Sequence, residues 1–250
     1  MSAGEFKHVI EEILPFTDYV YYHLMGEPLL HEELGEFIDI AYENGLKSCI
    51  TTNGTLLKSK GNILGSRIEK IHKISISLQA QEANGATLDL EQYLDSCFSF
   101  GKSVEGKTIV VYRLWNDGGQ NSNNPIILDK MHKSFNCEWT AHPSGETIGN
   151  KIFLEHGEKF DWPDEKSDLI ESNRYYCYGL KDQIGILADG TVVPCCLDNN
   201  GTLALGNIFK QSLEEILNSD KAINICESFR QGKAAEDLCK KCGYATRFQK

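Results

Sequence analysis

The chain has 250 residues, of which 41% are hydrophobic, and a formal net charge of −11 at pH 7. This length is sufficient for one large or two modest globular domains, and no segment approaches the roughly 18 apolar residues that a membrane span needs. The acidic excess opposes binding to a phosphate backbone, so nucleic acid is not an expected partner. Because the N-terminus lacks a basic-then-apolar signal pattern, we expect a cytoplasmic protein with no membrane partner.

The nine cysteines are unevenly distributed along the chain. Without a secretion signal, metal or redox chemistry explains them better than a disulfide framework. Three lie in the first 176 residues, and six follow: Cys177, Cys195, Cys196, Cys226, Cys239 and Cys242. This asymmetry predicts a boundary near residues 160–175, and we divide the chain into domains 1–165 and 166–250.

The first part alternates predicted strands and helices. Ser2, followed three residues later by Glu5, predicts the capped start of a first helix. Apolar periodicity and turn signals predict strands at 19–24, 47–52, 73–78, 108–115 and 151–156, and helices over about 31–44, near 89–100 and near 125–135. Alternation of this kind indicates parallel strands joined by right-handed crossovers, hence an open α/β sheet or a β/α barrel.

Polar residues and glycines follow four successive predicted strands. In parallel β/α folds, the loops at the carboxyl ends of strands form the active site. These ends carry Gly26-Glu27-Pro28, Thr52-Asn53-Gly54, Ser77 with Gln79, and Arg113 with Asn116. Each is also explained by turn chemistry or an ion pair when taken alone. As a series they indicate a polar small molecule bound at this edge of the sheet.

The segment "LMGEPLLHEELGEFIDIAYENGLKSCITTNGTLL" resembles the second and third strand–helix units of radical S-adenosylmethionine (SAM) enzymes. Their usual form is a Gly-Gly-Glu-Pro loop followed by a Thr-Asn-Gly strand end, and here Met25 replaces the first glycine. The resemblance extends with decreasing strength through "ISISLQA" and "VVYRLWN". It implies a partial (β/α)6-type radical SAM barrel over the first domain.

The same resemblance implies a set of SAM contacts. Backbone oxygens around Met25 and Gly26, together with the Glu27 carboxylate, would accept the methionyl ammonium of SAM, because an ammonium offers only donors. Pro28 would fix the bend of this loop. The remaining implied SAM-binding residues are Asn53 and, as candidates for the SAM carboxylate or ribose, Ser77 and Arg113.

The C-terminal part contains a second pattern. Cys177 is followed by a Gly-x4-Cys sequence that ends at Cys195, and Cys239 and Cys242 form a C-x-x-C motif. Asp189-Gly190 predicts a hairpin turn that brings Cys195 back towards Cys177. Four thiolates hold either a structural zinc or an iron–sulfur cluster, and spacing alone does not decide between them.

Residues 177–245 resemble a SPASM-type or shortened "twitch" domain, the accessory iron–sulfur module of many radical SAM enzymes. The resemblance implies one auxiliary 4Fe-4S cluster on the four cysteines Cys177, Cys195, Cys239 and Cys242. Cys196 is left out, because adjacent side chains on a strand point to opposite faces. Cys226 falls in a helical pattern and is interpreted as a small buried hydrophobe.

The catalytic cluster motif of the family, C-x3-C-x2-C, is absent, since no cysteine precedes Cys49. We expect either a start at an internal methionine or a degenerate relative, and a catalytic 4Fe-4S cluster only in a complete chain. The complete enzyme would cleave SAM to a 5′-deoxyadenosyl radical and abstract hydrogen from a peptide or small-molecule substrate. Its electron donor would be a flavodoxin or ferredoxin. The alternative is a catalytically incompetent binding module stabilised by zinc or an iron–sulfur cluster.

Overall fold

The computed structural model describes residues 1–83, 89–166 and 176–245, and the chain divides into two compact units. One unit is Phe16–Lys159, and the other combines Met1–Pro15 with Phe160–Lys250. Helix α1 (Ala3–Ile13) therefore clusters with the C-terminal part of the chain. The division into domains 1–165 and 166–250 stays a prediction, and it differs from these units in assigning residues 1–15 to the first domain.

The unit Phe16–Lys159, called here the sheet unit, alternates strands and helices as predicted. Its helices are α2 (Leu34–Glu43), α3 (Leu57–Gly65), α4 (Ala80–Ala83), α5 (Leu90–Ser103) and α6 (Asn124–Ser134), with 3-10 turns at Pro28–Leu30 and Ile68–Lys70. Its strands are β1 (Tyr19–Tyr22), β2 (Lys47–Thr52), β3 (Ile71–Ser77), β4 (Ile109–Asp117), β5 (Thr140–His142), β6 (Gly145–Gly149) and β7 (Ile152–Glu158).

The seven strands form one sheet in the order β1-β2-β3-β4-β7-β6-β5. Strands β1, β2, β3, β4 and β7 run parallel, which confirms the predicted α/β class, and β6 and β5 add an antiparallel hairpin. Within the described ranges β1 and β5 are the edges, so the sheet is open and fits a partial barrel. The hairpin escaped prediction because its strands have only three and five residues.

The two faces of the sheet differ in chemistry. On one face, buried Ile50, Ile74 and Tyr112 pack against the helices, and each such side chain contributes about 1.5–3 kcal/mol by burial. Successive strand residues point to opposite faces, so Lys73 and Arg113 lie on the other face, called here the helix-free face because α2, α3, α5 and α6 pack on the first one. That face also carries Ser75 and Ser77 of β3 and Glu155 of β7, beside the apolar Val111 of β4.

The second unit, called here the cysteine unit, contains α1 and short elements of the C-terminal part. These are β8 (Gly185–Ile186), β9 (Thr191–Val193), β10 (Gly206–Asn207), α7 (Leu213–Leu217), α8 (Asp220–Arg230) and α9 (Asp237–Lys240). The predicted hairpin at Asp189-Gly190 is confirmed, since β8 and β9 pair antiparallel around it. No helix in the described parts of either unit combines the length and apolar character needed to cross a bilayer.

Helix α1 begins as the sequence predicts. The Ser2 hydroxyl accepts a hydrogen bond from the Glu5 backbone N–H, and the Glu5 carboxylate accepts one from the Ser2 N–H, which completes a capping box. Further along, the His8 Nε2 atom lies 3.0 Å from the Ile208 carbonyl oxygen. The Glu12 carboxylate accepts the Leu213 N–H at 2.8 Å. These contacts join α1 to the C-terminal part.

Candidate cofactor sites

Glu27 joins the ends of two neighbouring strands. Its Oε1 atom accepts hydrogen bonds from the Leu29 N–H at 3.0 Å and the Thr52 hydroxyl at 2.8 Å. Its Oε2 atom accepts the Asn53 N–H at 2.7 Å. The carboxylate thus caps the 3-10 turn that begins at Pro28 and fixes the loop after β1 against the end of β2. A glutamate makes both contacts because its carboxylate reaches beyond its own turn.

The residues before Glu27 present exposed backbone. Gly26 has a φ of +98°, a conformation that L side chains rarely adopt, so glycine is needed there. Met25 is exposed and adjoins it. The carbonyl groups of this loop therefore lie beside a carboxylate of fixed orientation, which is an arrangement suited to an ammonium ligand.

Asn53 and Ser77 are connected through Tyr93, a residue of α5. The Tyr93 hydroxyl donates to the Asn53 carbonyl at 2.8 Å and lies 3.4 Å from the Ser77 carbonyl. Burial raises the pKa of Tyr93, so its hydroxyl keeps its proton and acts as a donor. The Asn53 side-chain oxygen accepts from the N–H and hydroxyl of Thr55. Sequence analysis missed Tyr93, because a tyrosine inside an amphipathic helix carries no local signal of this role.

Arg113 lies on the helix-free face, paired in register with Ser77 on β3 and Glu155 on β7. Its Nε atom is 3.8 Å from Glu155 Oε2, and its guanidinium carbon lies 4.6 Å from the centre of the Trp115 ring. Its positive charge also acts on His23, after β1: burial, and then Arg113, lowers the pKa of that imidazole to about 4. The charge of Arg113 therefore acts on side chains on both sides of β4: His23, after β1, and Glu155, on β7.

The structure brings the predicted SAM-binding residues together to different degrees. Glu27 contacts Asn53 directly, and Tyr93 connects Asn53 to Ser77. Ser77 pairs in register with Arg113, and the backbone N–H of Leu78 donates to the Arg113 carbonyl at 3.1 Å. The strand ends form one continuous edge, and the assignment of each residue to SAM stays a prediction.

The four predicted ligand cysteines of the cysteine unit line one cavity of about 30 Å³. They are Cys177, Cys195, Cys239 and Cys242. Cys196 does not line this cavity, and its thiol lies 3.9 Å from the Gln183 side-chain oxygen. Cys226, in α8, has its thiol 3.9 Å from the Leu180 carbonyl. Across the described ranges, no three His, Cys, Asp or Glu side chains stand together as a preformed metal-ion site.

Backbone N–H groups point at three of these thiols. The Gly179 N–H donates to Cys177 Sγ at 3.3 Å; the backbone N–H groups of Leu197 and Asp198 act to lower the pKa of Cys195, and those of Tyr244 and Ala245 act to lower that of Cys242. Such bonds favour the thiolate, whereas burial disfavours it and is the larger effect: it raises the pKa of Cys195 to about 12. Hydrogen bonds to sulfur are also a means by which proteins tune iron–sulfur clusters.

The thiols also disfavour one another's ionisation. After burial, the pKa of Cys239 is raised by Cys195, Cys177 and Cys242 in turn. Four neighbouring thiolates therefore require a positively charged centre to offset their repulsion. The donor set and its N–H···S bonds fit a metal cluster.

A parallel α/β sheet with a carboxylate loop, and a cavity lined by four cysteines, resemble the radical SAM fold followed by an iron–sulfur accessory region. Residues 177–243 match the family model of SPASM, an iron-sulfur cluster-binding domain. The chain is 24% identical over 249 residues to the S-adenosyl-L-methionine-dependent 2-deoxy-scyllo-inosamine dehydrogenase of Niallia circulans, with 97% of this chain and 80% of that protein covered.

Solved structures show the same fold. BtrN in complex with AdoMet and 2-DOIA aligns with a TM-score of 0.59 and 21% identity over 97% of this chain and 80% of its own. Native anSMEcpe with bound AdoMet aligns with a TM-score of 0.63 and 14% identity, and the alignment covers 100% of this chain and 82% of that one. SuiB of Streptococcus suis bound to S-adenosylmethionine aligns with a TM-score of 0.62 and 13% identity, and the alignment covers 100% of this chain and 67% of that one. These comparisons confirm the predicted resemblance to radical SAM enzymes with a SPASM domain.

Proposed function

We propose that this chain provides the SAM-binding and auxiliary-cluster parts of a radical SAM/SPASM oxidoreductase or maturase. The observation that carries the proposal is the Glu27 carboxylate, which ties the loop after β1 to the end of β2 at the edge where SAM is expected. The four-cysteine cavity within the SPASM match gives independent support. The substrate would be a peptide or a small molecule, and the enzyme would act in the cytoplasm.

The residues of the sheet unit would orient SAM. Carbonyl groups of Met25 and Gly26 would accept the SAM ammonium together with Glu27, and Pro28 would keep the loop bent. Asn53 would form the neighbouring wall of the SAM-binding site. The SAM carboxylate or ribose would be received by Ser77 and Arg113. When bound beside a reduced 4Fe-4S cluster, SAM would accept one electron at its sulfonium and break a C–S bond, which would give methionine and a 5′-deoxyadenosyl radical able to take a hydrogen atom from the substrate.

The cysteine unit would hold an auxiliary 4Fe-4S cluster through Cys177, Cys195, Cys239 and Cys242. The N–H groups that already point at three of these sulfurs would stabilise the bound thiolates. A flavodoxin or ferredoxin would serve as electron donor. The ligands of a catalytic cluster are not among residues 1–48, so the proposal for this chain concerns SAM binding and the auxiliary cluster.

Iron analysis tests the cysteine assignment. The chain is purified without oxygen and reconstituted with iron and sulfide, and we expect about four irons per chain and a brown chromophore. The Cys195→Ala variant should lose most of this iron, whereas Cys226→Ala should keep it. Stoichiometric zinc with no iron in the reconstituted protein would support the alternative of a zinc-stabilised binding module.

Equilibrium dialysis against labelled SAM tests the Glu27 assignment. Glu27→Gln keeps the length of the side chain and removes its charge, so we expect SAM affinity to fall about tenfold. The matched control is Glu36→Gln, which alters an exposed glutamate of α2. Equal SAM affinity in all three proteins would refute the role of Glu27.

A further inference from the structure

Several buried polar atoms of the sheet unit have no hydrogen-bond partner among the described residues. Two of them, His23 Nδ1 and Gln79 Oε1, directly follow parallel strands or lie in the turn after one. His23 directly follows β1, and Gln79 lies in the turn directly after β3. Folded proteins pair almost all buried polar groups, because an unpaired one is destabilising. Two such atoms at the carboxyl ends of nearby strands therefore indicate a ligand that pairs with them.

Both residues lie next to the helix-free face around Arg113. The His23 ring lies edge-on to the Tyr21 ring, with centroids 5.8 Å apart, and the charge of Arg113 contributes to the lowered pKa of His23. Gln79 follows Ser77, the register partner of Arg113. Only β2 separates β1 from β3, so the strands that carry these residues are roughly 10 Å apart. A third such atom, His142 Nε2, lies on β5, two strands beyond β7, and is not included.

The surroundings of these atoms are close to neutral. The lowered pKa of His23 keeps its imidazole uncharged at pH 7. Gln79 carries no charge, and the Arg113 guanidinium faces the Glu155 carboxylate 3.8 Å away. An amide oxygen only accepts hydrogen bonds, whereas a neutral imidazole nitrogen donates or accepts according to its tautomer. A hydroxyl group satisfies both, because it donates and accepts.

We propose that His23 and Gln79 are substrate-binding residues that select a small, neutral, hydroxylated molecule such as a sugar or cyclitol. This inference rests on the proposed function, because it supplies the substrate contacts of that enzyme. It places the substrate on the helix-free face of the sheet, beside the edge assigned to SAM. A compact ligand is favoured over a peptide because the two unpaired atoms are buried and their setting is uncharged.

The stability of the ligand-free chain gives the first test. Gln79→Leu keeps the approximate size and removes the unpaired oxygen, so we expect the melting temperature to rise by about 2–4 °C. Gln81→Leu is the matched control: Gln81 is buried two residues away, and its side-chain oxygen lies 3.5 Å from Asn123 Nδ2. That variant should melt at a lower temperature. A lower melting temperature for Gln79→Leu would show that its oxygen already has a partner, and would overturn the proposal.

Ligand binding gives the second test. Calorimetry with the full chain would compare two neutral ring compounds, myo-inositol and D-glucose, with the tripeptide Gly-Ser-Gly. We expect saturable binding of at least one ring compound, weakened about tenfold or more by either His23→Leu or Gln79→Leu and unchanged by Gln81→Leu. Binding of the tripeptide alone, or ring binding that neither variant weakens, would overturn the assignment.

SAM binding separates this inference from the proposed function. His23 and Gln79 are not among the proposed SAM contacts, so both variants should retain wild-type SAM affinity in dialysis. If SAM binds through Glu27 and no ring compound binds, only the substrate assignment fails. If ring compounds bind through His23 and Gln79 but SAM does not bind, the proposed function fails and the subsite remains as a binding site.

Discussion

The candidate sites of the sheet unit and the cysteine unit differ in whether the protein alone stabilises the charged form of their side chains. In the sheet unit, the Glu27 carboxylate already accepts three hydrogen bonds, from Leu29, Thr52 and Asn53. In the cysteine unit, burial and mutual repulsion raise the pKa of the thiols, and only N–H groups act against this. The first site is oriented by hydrogen bonds within the protein alone. The second becomes complete only with a cationic centre.

This difference predicts that the two units depend unequally on their cofactors. A preorganised carboxylate costs little to keep, since its partners are part of the fold. A set of buried thiols gains its stability when metal displaces the protons, so metal binding contributes directly to folding. Each of the following experiments alters one side of this comparison.

Iron removal should have the largest effect, and only on the cysteine unit. For small metal domains the bound metal contributes on the order of 10 kcal/mol to folding. After chelation we expect backbone amides of residues 176–245 to exchange with deuterium much faster. Amides of Ile50, Ile74 and Val110 in the sheet core should keep their protection. Equal loss of protection in both units would show that the sheet also depends on the cluster.

Replacing Glu27 by alanine should produce the next largest effect, in the sheet unit. Three hydrogen bonds to a carboxylate are lost and three donors lose their acceptor, which we expect to lower the free energy of unfolding by about 3 kcal/mol. Urea denaturation followed by fluorescence measures this. Glu36→Ala, on the exposed side of α2, should change it by less than about 0.5 kcal/mol. Similar values for both variants would show that the Glu27 contacts contribute little.

The sequence predicted the parts of both sites that depend on local patterns. The Gly-Glu-Pro and Thr-Asn-Gly segments each end a strand, and parallel pairing of β1 with β2 places them together. The hairpin at Asp189-Gly190 likewise accounts for Cys177 and Cys195 lining one cavity. These features follow from turn chemistry and strand order, which short stretches of sequence encode.

Other features depend on packing between distant residues and had no local signal. Nothing in the pattern around Tyr93 identifies the two carbonyls that its hydroxyl reaches. The amphipathic face of α1 predicts burial but not its contact with the Leu213 amide. His23 was passed over because one histidine after an aromatic strand does not reveal that Arg113 lies nearby.

Acidification should destabilise the sheet unit through His23. Its pKa is about 4 in the folded chain and about 6.5 when unfolded, so the unfolded chain binds more protons between these values. The contribution of the neutral His23 imidazole to the free energy of unfolding is therefore fully present above about pH 6.5, and it is lost as the pH falls towards 4. From pH 7 to 5 we expect a loss of about 2 kcal/mol in the free energy of unfolding.

Comparison with His23→Leu isolates this contribution. Burial also lowers the pKa of His72, with Lys47 and Lys73 adding to it, and that imidazole is present in both proteins. The difference between the two urea midpoints should therefore change with pH only through His23. A constant difference from pH 7 to 5 would mean that the imidazole is not held neutral, and would remove the charge argument for a neutral ligand beside it.

The smallest expected effect concerns α1, which tests whether residues 1–15 stabilise the cysteine unit. Ser2→Ala removes the N-cap and should destabilise α1 by about 1 kcal/mol. Because Glu12 accepts the Leu213 N–H, the Leu213 amide should exchange about fivefold faster in this variant. Ser99→Ala, at an exposed position of α5, is the control and should leave that amide unchanged. If the Leu213 amide exchanges at the wild-type rate in Ser2→Ala, α1 does not stabilise the cysteine unit. That result would favour the predicted division at residue 165, which assigns residues 1–15 to the first domain.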